Sequence, residues 1–223
     1  MKPAMFQKLS GLCGITGVLL LVTSFIINPG PGPSPTAQEL AVFGSSHHAT
    51  ILLGAWLQAV SPFLIMIFAL GSIRLVGATE SFSGQLTQVG FVVLIVVSLL
   101  EVVFYLSAAN GDPATTGLIS LDLIHGTQHL FSIAAAPAVF LPFAVVIFRW
   151  RALPRAFGYT GAVLGSLFVV LGFVALFQPI QYMVDYLAFA QGIWWLLAAL
   201  VQVFRAPVSN PTLDNRRVDA VSG

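Results

Sequence analysis

Val89-Gly-Phe-Val-Val-Leu-Ile-Val-Val-Ser-Leu-Leu-Glu101-Val-Val-Phe-Tyr105-Leu-Ser-Ala-Ala109 carries one ionisable carboxylate, Glu101, in a run that is otherwise apolar or small. A helix crossing the ~30 Å hydrocarbon core of a bilayer needs ~20 predominantly apolar residues, and this stretch supplies them. Lipid offers no partner to a stray backbone amide or carbonyl, so such a run is read as a spanning helix with its peptide groups paired internally.

Five further runs share this character: Leu9 to Ile27, Thr50 to Leu70, Leu130 to Phe148, Gly158 to Phe177 and Val184 to Phe204. The composition agrees, with 57% of 223 residues apolar and 8% charged, against about 25% charged in an ordinary soluble domain. The expected fold class is all-α: a polytopic membrane protein whose six transmembrane helices form one bundle over residues 1–205. Residues 206–223, with Pro207 and Pro211 among scattered charges, are expected to be a disordered cytoplasmic tail. Short connections leave no room for a separate soluble domain.

Basic residues favour the cytoplasmic side of short loops and so set the orientation. With the amino terminus inside, Lys2, Lys8, Arg74, Arg149, Arg151, Arg155, Arg205, Arg216 and Arg217 are all cytoplasmic. The outer connections, Asn28 to Ala49, Asn110 to His129 and Gln178 to Met183, hold Glu39, Asp112 and Asp122 but no Lys or Arg. Both termini are therefore expected inside, and the lipid bilayer is the expected partner. The net charge of +1 gives no reason to expect nucleic acid. Lys2 and Lys8 could open a signal peptide, but no small-x-small cleavage site follows them. The single cysteine, Cys13, excludes an intramolecular disulfide and is expected to be a small buried side chain.

Asn28-Pro-Gly-Pro-Gly-Pro-Ser-Pro35 can form neither helix nor central strand and is expected to be a surface connection. Gly11, Gly14 and Gly17 on the first helix, and Gly158, Gly161 and Gly165 on the fifth, are expected to let neighbouring backbones approach closely. Pro62 and Arg74 have the spacing of Pro137 and Arg149, and His48 and His125 begin the two helices. A duplicated hairpin would leave this pattern, and topology alone also accounts for it.

The chemistry-bearing residues cluster by depth. The fourth helix starts Ser120-Leu-Asp122-Leu-Ile-His125-Gly-Thr-Gln-His129-Leu-Phe-Ser132. At ~100° per residue, Asp122, His125, His129 and Ser132 share one stripe. Histidines at i and i+4 can hold a metal jointly, and a carboxylate can complete or orient the set. The metal candidates are thus His125, His129 and Asp122, with His48 from the second helix. Glu101 lies on the order of 12 Å below the end of its helix. An ionisable group at that depth costs at least ~2.5 kcal/mol, so it is expected to face the interior with a partner. His129, across the hairpin, is the expected partner.

Gln58 shares a stripe with His47, Gly54 and Ser61, while Tyr105 shares one with Glu101, Ser98 and Ala108. Asp185 opens the sixth helix after Gln178, Gln181 and Tyr182. Glu101, Tyr105, Gln58 and Asp185 are the ligand-binding candidates. All lie in the outer half, and the inner half is expected to have no such polar set. Competing structural roles exist: Asp122 and Asp185 suit a helix dipole, Ser46 and Ser120 look like caps, and His47 and His48 suit a solvated membrane boundary.

Six helices, a Pro-rich outer loop, Gly-rich starts of the odd helices and an Arg-rich fourth-to-fifth connection resemble small bacterial membrane proteins of unknown function. That resemblance implies a multi-pass protein of a bacterial plasma membrane and transfers no functional residues. The His125-x-x-x-His129 pair with an acid is also similar in kind to metal-dependent membrane hydrolases of the ceramidase and adiponectin-receptor type, which have seven helices.

No GxSxG, HExxH, Gly-rich phosphate loop or paired CxxC is present. Three functions remain open: an outer polar pocket binding a small molecule, a lipid or a proton; a zinc hydrolase with Glu101 or Asp122 activating water; and a haem redox protein with His48 and His129 as axial ligands.

Overall fold

The computed structural model describes residues 3–28, 30–31, 35–178 and 180–206. Among them there is no strand, and six helices are long and apolar enough to cross a membrane. These are α1 (Pro3–Ile27), α2 (Ala37–Leu75), α3 (Phe82–Asn110), α4 (Pro113–Trp150), α5 (Arg155–Ala175) and α6 (Gln181–Phe204). Lys2, Pro29, Gly32, Pro33, Ser34, the tail from Pro207 with Arg216 and Arg217, and the side chain of Gln181 lie outside the described residues.

Successive helices run antiparallel. The start of α1 meets the end of α6 through Gln7 and Gln202, and the end of α2 through Ser10 and Gly71. Ser24, near the end of α1, donates to the Gly54 carbonyl of α2. Lys8, Arg74, Arg149, Arg151, Arg155 and Arg205 therefore gather at one end of the bundle, and the four histidines lie toward the other.

Large apolar side chains stay outside: Val89, Val92, Val96, Val103 and Leu106 of α3 are all exposed. In water such a surface would be unstable; against lipid tails it is neutral. The interior is aromatic. Phe68, Phe91, Phe140 and Phe143 are fully buried and meet the Trp194–Trp195 pair, mostly edge-on or tilted, as ring quadrupoles favour, while buried Phe168 packs on Phe140.

Glycines admit the neighbours expected of them. A Cβ on Gly17 would sit 2.9 Å from the Ser61 carbonyl oxygen of α2, and one on Gly165 would meet Leu141 at 2.9 Å. The tightest interior crossing joins α3 to α4, where a Cβ on Gly90 would lie 2.5 Å from the Ala138 carbonyl carbon and closer still to its oxygen.

Three sequence expectations need correction. The first two outer connections are largely helical: α2 has 39 residues and so spans about 58 Å, and α4 runs from Pro113, well beyond a ~30 Å core. Hydropathy marks where apolar composition stops, whereas a helix continues until its caps. Those caps are not Ser46 and Ser120. Thr36 and Glu39 form a reciprocal capping box before α2, and Asp112 caps α4 by accepting from the Thr115 amide. Ser46 lies inside α2 with its hydroxyl donated to the Val42 carbonyl, and Ser120 is buried inside α4. Asp122 is consequently a mid-helix residue, not one in a first turn.

Finally, the arginine-bearing half does hold a polar set, built of neutral residues. Gln7 donates to the carbonyls of Gln202 (2.9 Å) and Arg205 (3.0 Å). Gln202 donates to Ser10 Oγ at 2.7 Å, and Ser72 donates to Gln202 Oε1. All four side chains are buried, so this network locks α1, α2 and α6 together.

Candidate functional site

Glu101 sits on α3 about 13 Å from the end of the helix at Asn110. Its carboxylate accepts from Gln58 Nε2 of α2 at 2.6 Å and from Gln128 Nε2 of α4 at 3.3 Å. One carboxylate thus joins three helices. Gln58 is 4% exposed, which removes water as an alternative partner for its amide. Glu101 forms no ion pair among the described residues, so two neutral dipoles face its charge. Tyr105 follows one turn along α3 and is half-buried.

The register that makes this node follows from the Gly90 crossing. From Gly90 to Glu101 and from Ala138 back to Gln128 are nearly equal rises along antiparallel helices. Close contact at Gly90 and Ala138 therefore brings Glu101 opposite Gln128.

Both amide donors stand at breaks in helix geometry. Gln58 lies four residues before Pro62, whose missing N–H leaves the Gln58 carbonyl without its intrahelical donor. The Ser61 hydroxyl donates to that carbonyl instead, at 3.3 Å. Gln128 lies three residues before a π-helical turn, Phe131–Ala135, in which the Ala136 amide donates back to the Phe131 carbonyl. Pro137 explains this turn, because an α-helix would clash its ring with the carbonyl of Ile133. The Ser132 hydroxyl shares itself between the carbonyls of Gln128 (3.2 Å) and His129 (3.0 Å).

The other candidates fall differently. His129 is not the partner of Glu101; its Nδ1 is the buried side-chain polar atom without a hydrogen-bond partner among the described residues. The α4 stripe runs from exposed Asp122 and His125 to half-buried His129 and buried Ser132. His48 is exposed on α2, while neighbouring His47 stacks on Phe43 at 4.6 Å with its Nδ1 2.9 Å from Ser46 Oγ. Asp185 is exposed in the second turn of α6. Among the described residues no three His, Cys, Asp or Glu side chains gather as a metal-holding group.

Gln128 is the residue that the sequence reading missed, because the partner expected for Glu101 across the hairpin was its neighbour His129. A signal was present: Gly117, Ser120, Ile124, Thr127 and Ser132 form the buried stripe of the first half of α4, small and polar apart from Ile124, and Gln128 borders it.

No family model, curated protein or solved structure matches the chain.

Proposed function

We propose that this is a non-enzymatic integral membrane protein in which Glu101 is a proton-exchange site, coupling protonation to the packing of α2, α3 and α4. The observation that carries this reading is the carboxylate held within an apolar helix by two neutral amides, with no cation beside it among the described residues. A permanently ionised acid at such depth is costly, and intramembrane acids mark proton or ligand sites by default. Two amides can hold either form: both N–H groups donate to a carboxylate, while a protonated acid can rotate its O–H toward a neighbouring acceptor.

The setting supports a conformational response. Gln58 and Gln128 each stand where a proline has already loosened the helix, so changing their acceptor's charge acts on backbone that can bend. The positive-inside pattern supports a reading with both termini in the cytoplasm and the Glu101 node in the outer half, in a bacterial plasma membrane. A small polar molecule or a lipid headgroup entering from the histidine-bearing end is the ligand class that such a node would take.

The test compares thermal unfolding of wild type and Glu101→Gln in lipid nanodiscs across pH. Glutamine keeps the acceptor oxygen but cannot titrate. Wild type is expected to change its midpoint through a single-proton transition that the variant lacks. Superimposable pH profiles would refute the proposal.

A further inference from the structure

At the opposite end from the Glu101 node, the chain leaves α4 at Trp150, turns through Arg151–Pro154 and enters α5 at Arg155. A concavity of about 240 Å³ opens there, lined by Arg151, Leu153, Pro154, Arg155 and Arg205. Leu153 is 1% exposed and forms its floor, while the three arginines are exposed around it. Among the described residues none of the three guanidiniums meets a carboxylate. Three like charges around one depression repel each other, so the arrangement is stabilised by an anion from outside.

The geometry points to a binding site for a phosphate oxyanion formed by Arg151, Arg155 and Arg205 at the membrane interface. Four independent features argue for it. Arg151 closes α4 in the left-handed conformation, φ 55°, the only non-glycine residue with positive φ among those described. Glycine is the usual residue at this cap because a Cβ crowds the backbone there, so arginine at this position keeps a side chain where packing favours none.

Second, Arg205 is already oriented. Its Nη1 donates to the carbonyls of Arg151 (3.2 Å) and Ala152 (3.4 Å), which fixes the guanidinium plane and leaves other N–H groups free for a ligand. Third, α5 begins beside the depression with no side-chain cap and no acidic residue in its first turn. Its leading amides therefore add a partial positive charge to the same space.

Fourth, the surroundings suit an interface. Arg149 lies over the Trp150 ring at 5.0 Å, and Tyr159 and Phe204 are exposed nearby in the first turns of α5 and at the end of α6. Aromatic side chains of this kind mark headgroup level. The positive-inside expectation puts this end in the leaflet that carries anionic lipid. Guanidinium forks match phosphate oxygens in pairs, which a lysine cluster would not do as well.

The test titrates purified full-length protein in neutral detergent with short-chain phosphatidylglycerol, short-chain phosphatidylcholine and inorganic phosphate, reading the thermal midpoint by tryptophan fluorescence. Wild type is expected to show a saturable rise with phosphatidylglycerol. An Arg151→Gln/Arg155→Gln double variant should bind about tenfold or more weakly, since hydrogen bonds to a charged group are lost. Arg155→Gln alone leaves the α4 cap intact and should weaken binding several-fold, which keeps the test readable if the double variant misfolds. Arg74→Gln, at the same end but outside the depression, should bind within about twofold of wild type.

Saturation by phosphatidylglycerol without a response to inorganic phosphate assigns the site to lipid. Equal responses to both assign it to soluble phosphate. No saturable response to either, an equal response to phosphatidylcholine, or an equal loss in Arg74→Gln would overturn the proposal.

Discussion

Replacing Gly90 with alanine should separate α3 from α4 and weaken the Glu101 node about eleven residues away. The added Cβ would stand 2.5 Å from the Ala138 carbonyl carbon, where ordinary contact begins at 3.4 Å, so one helix must retreat by about 1 Å. The obstacle is backbone of another helix, not a side chain that can rotate away. Overpacking of this kind costs ~1–3 kcal/mol, and backbone against backbone belongs at the upper end. Against it stands the gain of ~1 kcal/mol from replacing glycine by alanine within a helix. The net expectation is destabilisation by about 2 kcal/mol. Reversible unfolding in mixed micelles, followed by the fluorescence of buried Trp194 and Trp195, measures it. Gly126→Ala is the control: nothing lies within 4 Å of its Cβ position, so the helix-propensity gain should appear alone. A Gly90→Ala protein as stable as wild type would refute the close crossing and, with it, the register that sets Glu101 opposite Gln128.

Gln58→Leu and Glu101→Leu, alone and combined, should show a coupling energy of about 1–2 kcal/mol in a double-mutant cycle, above the ~0.6 kcal/mol usual for neutral membrane pairs because one partner is ionisable; coupling near zero would contradict the 2.6 Å bond. Gln202→Leu should cost about 1–2 kcal/mol, because Ser10 and Ser72 lose their partner on α6 and keep only the Gln7 and Phe68 carbonyls of their own helices; an unchanged unfolding midpoint would contradict the network. Glu39 lies beyond the apolar part of α2, and its bonds from the Thr36 amide and hydroxyl hold its pKa below the ordinary 4.5. A depressed carboxyl pKa means that the cap contributes above the unfolded value and is lost as pH falls through the folded one. The Thr36 amide shift, followed by NMR, should therefore titrate with a midpoint below 4.5; a midpoint at or above that value would contradict the capping box.

The membrane architecture was legible because spanning a bilayer imposes length and apolarity directly on sequence, as in Val89 to Ala109. Glu101 was legible for the same reason: depth alone makes an acid conspicuous. Gln58 stood out by its stripe, although not as the partner of Glu101, for which His129 was expected. Neutral amides further along went unnoticed, since Gln7, Gln128 and Gln202 carry no charge to mark them and their partners lie on other helices. Packing, not composition, decides that Gln202 faces Ser10 and Ser72. The extents of α2 and α4 were underestimated although Thr36-x-x-Glu39 and Asp112-Pro113 are readable start signals. Polar helical extensions simply do not register as apolar runs. The histidines show the opposite error. His125 and His129 share a face by periodicity, yet they stand one turn apart in depth, and one is exposed while the other is half-buried.

The claim at the centre of this account is that Glu101, held by Gln58 and Gln128, exchanges a proton within the bundle. Infrared spectroscopy of nanodisc-embedded protein, with glutamate isotopically labelled at the carboxyl carbon, observes that group directly as pH is changed. The account predicts a protonated-carboxyl band that appears and disappears with pH, is absent from Glu101→Gln and changes frequency in Gln58→Leu. Identical titrating bands in wild type and Glu101→Gln would contradict it.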